Sequence, residues 1–303
     1  TFHANQVYNF FGLGPAAPLP LDFTSYGSGH APAAEVFVKG WNELMCQFEV
    51  SLHRAKDAST DDEFISSFNE VITFDLTAVV TLLGHRAQRI ERLTIGSLYS
   101  NKKAVYTADK DTEAGSTSRL VPKTQLLLEG LWKHQSNLKI LARQAISRGL
   151  TCPLIEELAA GVIRFKRSAF FHLKLKATKN GPKKVSRIRC SAGDIDKTTE
   201  RFFGKPKNCG RHFWVTEGCR RNWNRWLLRV LTGHARQDAE AFHEFGLVAP
   251  DRALDDLGAL IEQLTKELGM HGPKKVPASA SGHIALEQFQ AVPLFRPTIN
   301  DEV

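Results

Sequence analysis

The sequence lacks two features that would define common classes of protein. No stretch approaches 18 apolar residues without a charge, which argues against a membrane-spanning helix. The five cysteines form no CxxC pair and no zinc-binding spacing. An odd, scattered set of this kind predicts reduced thiols that pack as small apolar side chains, in a cytoplasmic, nucleoid-associated or nuclear protein.

Tyrosine is also scarce, and its distribution is one-sided. The chain of 303 residues contains four tyrosines, and all of them precede residue 107: Tyr8, Tyr26, Tyr99 and Tyr106. The remaining two thirds of the chain therefore have no phenolic hydroxyl. Any chemistry that needs a nucleophilic tyrosine there is excluded for the sequence as it stands.

Positive charge is concentrated in one part of the chain. The formal net charge is +8, yet residues 151–230 alone hold 19 Lys and Arg against 6 Asp and Glu. Such a localised excess favours a polyanionic partner, because each neutralised phosphate releases counterions. The densest part, residues 174–189, contains no acid, and its seven basic residues are Lys174, Lys176, Lys179, Lys183, Lys184, Arg187 and Arg189. Apolar residues interleave with these lysines, which favours nucleic acid over a solvated basic loop.

Hydrophobic periodicity predicts a mainly α-helical protein with a small antiparallel β-sheet. We expect an N-terminal arm with one helix over residues 1–60, a main domain over 61–269 and an extended tail over 270–303. Short strands are predicted at 98–100, 104–107 and 118–122, with a polar turn over 109–116. Residues 174–208 are predicted to be mainly loop.

Helix ends are predicted from caps and glycines. Asp61 or Asp62 is expected to cap the helix that Gly84 ends, and Gly218 is expected to end a helix that begins at Arg211. The final helix, predicted from Asp251, has an apolar stripe that either packs within its own domain or is buried partly between subunits. The stripe consists of Leu254, Leu257, Ile261, Leu264 and Leu268.

Four cationic boxes follow one another along the chain. They are Gly84-His85-Arg86, Lys110 in a turn before Arg119-Leu120-Val121-Pro122, Arg211-His212, and Gly233-His234. Fixed cations stabilise the charge that grows on phosphate oxygens during phosphoryl transfer. Arginine suits this task because its planar guanidinium binds phosphate bidentately and keeps its charge.

In this order, the four boxes resemble the catalytic domain of the tyrosine recombinases (phage-integrase family) over roughly residues 60–268. The resemblance implies that Arg86 and Arg211 bind phosphate, that Lys110 is the hairpin lysine that protonates the leaving group, and that His234 completes the site. Two positions depart from the family pattern. Residue 89 is Arg89, although the family commonly has an acid there, and Asn208 replaces the first histidine of the second arginine box. Asn208 can still hydrogen-bond phosphate.

The nucleophile of that family is absent here. Its tyrosine follows the Gly-His box, where this chain has Phe242, His243 and Phe245, and Phe245 best matches the nucleophile position. Four interpretations remain open. Phe245 replaces a tyrosine, by design, to trap a DNA complex; or the protein is a natural relative that binds DNA without cutting it. Alternatively, His243 or a hydroxyl from another chain acts, or the fold serves only structural interactions.

The resemblance implies a double-stranded DNA partner, self-association on DNA, no membrane, and no metal or other cofactor. The parent protein would carry out site-specific recombination or integration of DNA. A competing interpretation is an RNA-binding or nuclease-like helical protein that uses residues 174–189. No carboxylate cluster with metal-ligand spacing supports a metal-dependent nuclease.

Overall fold

A computed structural model describes most of the central part of the chain. It covers residues 31–87, 90, 93–99, 103–112, 115–161, 168, 170–176, 184–204, 208–232 and 250–272. For residues 108–112, 115–119, 184, 250 and 251 it describes the backbone only. The other residues lie outside the description.

Helices dominate the described residues, and two short hairpins accompany them. The helices are α1 (Ala34–Asp57), α2 (Asp61–Leu83), α3 (Ile95–Tyr99), α4 (Gln125–Ser147), α5 (Pro153–Ala159), α6 (Ala192–Phe203), α7 (Cys209–Arg220), α8 (Arg225–Thr232) and α9 (Pro250–Glu267). The strands are β1 (Ala104–Thr112), β2 (Gly115–Pro122), β3 (His172–Lys176) and β4 (Lys184–Ile188). The predicted class is confirmed, with two antiparallel sheets in place of one.

Helix α2 forms the centre of the fold. Most of its side chains are buried, and it packs against α1, α4, α6, α7 and β3. Thr60, rather than either aspartate predicted to cap α2, is its N-cap and accepts from the Glu63 N–H. By length and composition α2 is the one described helix that could cross a membrane, but 78% of its apolar window is buried inside the fold. Such burial is typical of a core helix.

Helix α1, expected within an N-terminal arm, packs along α2 and also contacts α4, α6 and α7. The Phe37 ring stacks on the Phe213 ring with 3.6 Å between centroids. Gly40 lies so close to the end of α6 that a Cβ atom would overlap the carbonyl of Phe202. Helix α1 therefore shares one hydrophobic core with the helices that follow it.

Three local predictions are wrong. Leu98 and Tyr99, predicted to begin a strand over 98–100, instead end the short helix α3. The predicted turn over 109–116 is narrower, since β1 and β2 pair from Ala104↔Pro122 to Thr112↔Gly115. The segment 174–208, predicted to be mainly loop, instead contributes to the antiparallel hairpin β3–β4, with Leu173 opposite Arg187, and contains helix α6 (Ala192–Phe203).

Gly218 does not end a helix. Helix α7 continues to Arg220, and Gly218 leaves room for α8 because a Cβ atom there would lie 2.6 Å from Leu228 Cδ2 and 2.7 Å from Trp223 Cε3. The left-handed residue that ends the helix is Asn222, with φ 55°. Glycine was needed here for close packing rather than for a left-handed turn.

The apolar stripe of α9 is buried within this chain, against α8, β2 and α4. Leu257, Ile261 and Leu264 are at most 2% exposed and belong to the main core. The expectation that subunits share this stripe is therefore wrong, and the alternative, packing within its own domain, is correct.

The cysteines are free thiols, as predicted. Cys190 and Cys209 are buried, and burial raises the pKa of each thiol to about 12. Cys46 differs, because it is exposed on α1. The two buried thiols act as small apolar side chains and remain protonated at neutral pH.

Candidate nucleic-acid interface

The first cationic box begins where α2 ends. Gly84 has φ 55°, its N–H bonds to the Thr81 carbonyl, and the His85 N–H bonds to the Val80 carbonyl at 2.9 Å. These two bonds define a Schellman ending, which favours glycine because a side chain is strained at positive φ. The chain then turns sharply, and this turn places Arg86 beside the end of α2.

The third cationic box, Arg211-His212, is held against the same end of α2. Gly210 lies so close that a Cβ atom would overlap the carbonyl of Thr81. The Trp214 indole N–H donates to that carbonyl at 2.9 Å. Trp214 is fully buried, so this bond satisfies its only polar atom and fixes α7 against α2.

Gly84 and Arg211 touch where the two boxes meet. A Cβ atom on Gly84 would lie 3.3 Å from Arg211 Cα and 3.5 Å from Arg211 Cβ. The Arg211 side chain is 6% exposed, and its Nη2 donates to the carbonyl of Thr232 at the end of α8. Arg211 therefore links the loop that contains Arg86 to Thr232, which lies two residues before His234.

Arg86 is half-buried in this arrangement. Its Nε is buried and, among the described residues, has no hydrogen-bond partner. His85 is 1% exposed, and its Nδ1 lies 2.7 Å from the carbonyl of Arg86, so it donates to that oxygen. The loop next to Arg211 thus carries a buried donor that no described residue satisfies, and a bound anion could accept from it.

Lys110 lies on the hairpin as predicted, although within strand β1 rather than in the turn. It pairs with Thr117, directly after an irregularity between Ala108 and Lys110. Strand β2 packs against α8, the helix whose last carbonyl binds Arg211. The hairpin and the two arginines are therefore linked through α8, while the side chain of Lys110 lies outside the description.

Asn208 begins α7 and has φ 60°, a left-handed conformation that asparagine tolerates. Its side chain makes no capping bond, and the residue is half-buried. Asn208 lies three positions before Arg211, close in sequence to the candidate site. His234, Phe242, His243 and Phe245 lie outside the described residues.

The basic segment contributes an exposed hairpin. Lys174 and Lys176 are exposed on β3, and Arg187 and Arg189 are exposed on and after β4. The guanidinium of Arg187 lies 5.8 Å from the centroid of the Phe171 ring. The backbone of Lys184 pairs with Lys176. Lys179 and Lys183 lie outside the description.

Asn69 of α2 anchors this hairpin. Its side-chain amide donates to the carbonyl of Leu173 at 2.9 Å and accepts from the N–H of Leu173 at 2.7 Å. One turn later, Thr73 donates to the Asn69 carbonyl and lies 2.9 Å from His172 Nε2. Because the hydroxyl proton of Thr73 is already donated, His172 Nε2 is the donor in that pair. Burial lowers the pKa of His172, and Asp194 offsets part of this effect.

The hairpin and the arginine pair lie at different positions along α2. Asn69 and Gly84 are separated by about 22 Å at a rise of 1.5 Å per residue. The two cationic features are therefore separate surfaces along α2.

Sequence reasoning missed Thr232 and Asn69. Thr232 acts through its backbone carbonyl, which no side-chain pattern reveals. Asn69 did leave a signal, because asparagine is unfavourable inside a helix and here interrupts a strongly apolar segment. No protein-family model, curated protein or solved structure matches this chain.

Proposed function

We propose that this chain binds duplex DNA as a tyrosine-recombinase-like protein, whose parent carries out site-specific recombination or integration. In this proposal Arg86 and Arg211 hold one phosphate of the DNA backbone. Lys110 and His234 complete the catalytic set, and the basic hairpin β3–β4 binds phosphates farther along the duplex. With Phe245 at the nucleophile position, the protein binds DNA without cutting it.

The observation that carries the proposal is the meeting of the first and third boxes, which are far apart in sequence, next to the end of α8. Gly84 touches the backbone of Arg211, and Arg211 bonds to Thr232, two residues before His234. Arg86 follows Gly84 by two residues, and its buried Nε has no hydrogen-bond partner among the described residues. An anion bound at this point would satisfy that donor.

Localised charge supports the same function. Residues 174–189 contain no acid, and β3–β4 presents Lys174 and Lys176 to solvent. Self-association on DNA stays part of the proposal, and α9 cannot supply its surface through the buried stripe. The alternative is a natural non-cleaving or architectural protein. Such a protein would bind DNA in the same way, but a tyrosine placed at position 245 would not make it cut DNA.

DNA binding by the Arg86→Gln variant tests the proposal. Arg86 is the better target because Arg211 is buried and bonds to Thr232, so its replacement disturbs packing. We expect fluorescence anisotropy with a labelled duplex to give at least about tenfold weaker binding at 0.1 M salt, and a salt slope smaller by about one.

The control is Arg143→Gln, which removes one exposed charge from α4. This control should change affinity about twofold or less, the usual effect of long-range charge screened by salt. Equal losses in both variants would show a general charge effect and would contradict a phosphate site at Arg86.

A further inference from the structure

The turn between α7 and α8 has a defined geometry. The Asn222 N–H bonds to the Cys219 carbonyl at 3.1 Å, and the Trp223 N–H bonds to the Gly218 carbonyl at 2.8 Å. Asn224 then caps α8, because its Oδ1 accepts from the Trp226 N–H at 2.9 Å. The end of α7 and the cap of α8 therefore lie within four residues, and these hydrogen bonds define the turn that joins the two helices.

Helix α8 has one buried face and one outer face. Leu227, Leu228 and Leu231 are buried on the side that packs against α7, β2 and α9. The outer face carries Arg225, which is exposed, and Trp226 and Arg229, which are half-buried. The helix therefore presents two guanidinium groups and an indole to the outside.

The sequence around this face is rich in positive charge. No acid occurs between Glu217 and Asp238. Glu217 is itself buried and bonds to Arg220 at 2.7 Å and to Arg221, which also reaches Glu267 at 3.5 Å. Helix α8 adds Arg225 and Arg229 to this segment, and Arg225 is exposed.

Trp226 orders one of these arginines. The guanidinium of Arg229 lies 4.8 Å from the centroid of the Trp226 ring. A cation–π contact of this kind restricts the rotamers of a long side chain before a ligand arrives. Arg229 consequently loses less conformational entropy when it binds an anion.

The position of α8 connects this face to the candidate phosphate site. Thr232, which accepts from Arg211, is the last residue of α8. Arg229 and Arg225 precede it by about 4.5 Å and about 10 Å along the helix axis. Phosphates on one strand of a duplex follow each other at about 3.4 Å along the DNA axis, so neighbouring phosphates lie within reach.

We propose that the outer face of α8, formed by Arg225, Trp226 and Arg229, binds the phosphates of duplex DNA next to the one held by Arg86 and Arg211. The inference rests on the proposed function. Arg225 and Arg229 each neutralise a phosphate, and Trp226 acts as a positioning residue for Arg229. The face is separate from the basic hairpin β3–β4.

The test is a salt titration of duplex binding by the double variant Arg225→Gln/Arg229→Gln, with the full chain and a labelled duplex of mixed sequence. We expect at least about tenfold weaker binding at 0.1 M salt and a salt slope smaller by about two. The matched control is Arg143→Gln/Arg201→Gln, which removes two exposed arginines from α4 and α6. Arg201 resembles Arg229 because its guanidinium also lies near an aromatic ring, at 4.9 Å from the centroid of Phe202.

Trp226→Ala and Trp226→Phe test the positioning role. The alanine variant should bind about two- to fivefold more weakly with an unchanged salt slope, because the charge remains while the cation–π contact is lost. The phenylalanine variant should restore most of the affinity. If the double arginine variant does not fold, the exposed Arg225→Gln substitution alone should reduce the slope by about one.

The outcomes separate this inference from the proposed function. If Lys174→Gln/Lys176→Gln weakens binding while the α8 variants bind like the control, the α8 inference is contradicted and the proposed function stands. If the α8 variants weaken binding to single-stranded RNA or acidic protein but not to the duplex, the inference is also contradicted. If the unmodified chain does not bind duplex DNA, both proposals fail.

Discussion

Gly84 and Arg211 are in contact through their backbones: a Cβ atom on Gly84 would lie 3.3 Å from Arg211 Cα. The contact joins the end of α2 to the beginning of α7, and Arg86 follows two residues after Gly84. The contact requires glycine for two reasons. Gly84 has a positive φ, and it has no side chain that would separate the two backbones. The candidate phosphate site therefore depends on a residue that has no side chain to bind a ligand.

Gly84→Ala should destabilise the protein by more than the backbone strain that alanine has at positive φ, because the added Cβ also meets Arg211. The matched control is Gly149→Ala, since Gly149 also has positive φ, at 73°, but has no atom within 4 Å of the added Cβ. We expect Gly84→Ala to lower the free energy of unfolding by about 1–3 kcal/mol more than the control, owing to overpacking. Urea denaturation measures both values, and equal losses would show that the contact can relax without cost.

Gly210→Ala and Gly130→Ala should have effects of opposite sign. A Cβ atom on Gly210 would overlap the Thr81 carbonyl, so alanine must separate α2 from α7 and should cost about 2 kcal/mol or more. Gly130 lies within α4 and has no atom within 4 Å of an added Cβ, so alanine there should stabilise the protein by about 0.4–1 kcal/mol. Thermal unfolding distinguishes them, and a stable Gly210→Ala variant with unchanged DNA binding would contradict the packing described.

Asn69→Ala should loosen the basic hairpin without any change in charge. Both hydrogen bonds to Leu173 are lost, so the Leu173 amide should exchange with solvent about threefold to tenfold faster, as expected for about 1 kcal/mol. Hydrogen exchange measured by NMR reports this directly. A Leu173 amide that exchanges at the unmodified rate would show that Asn69 does not anchor β3.

The stability of the protein should fall as pH decreases below 6.5, and His172 should cause part of this loss. Burial lowers the pKa of His172 in the folded state, so the unfolded chain takes up the proton first. The stability due to neutral His172 is therefore present above pH 6.5 and is lost as pH falls toward the folded pKa. His172→Gln should flatten the dependence between pH 7 and 5, whereas replacement of exposed His53 should not. An identical dependence in all three proteins would exclude His172.

Periodicity was sufficient to predict the longer helices. The one helix predicted within residues 1–60 is α1 at Ala34–Asp57, and Gly84 ends α2 as expected. Such features depend on neighbours three or four residues apart, which a single sequence displays. The apolar stripe of α9 was also visible, but the sequence could not show which surface covers it.

Long-range packing could not be predicted in the same way. Glycine serves a left-handed turn at Gly84 and close packing at Gly218, and the sequence does not distinguish these uses. The hairpin β3–β4 was not predicted because its many charged residues hide the alternation of apolar and polar residues in two short strands. The order of the cationic boxes gave a hypothesis about the site, while the contact of Gly84 with Arg211 and the bond to Thr232 required coordinates.

Restoration of a hydroxyl tests the central claim most directly. Phe245→Tyr should form a covalent 3′-phosphotyrosyl link with a suicide duplex that carries a site selected by binding, whereas Phe242→Tyr should not. Arg86→Gln in the Phe245→Tyr background should abolish the link, because the transition-state charge would lose a guanidinium. Denaturing electrophoresis with labelled DNA should show a slowly migrating band for Phe245→Tyr alone. Absence of that band from both tyrosine variants, while both still bind the site, would contradict a recombinase-type active centre and leave a DNA-binding protein that does not cut.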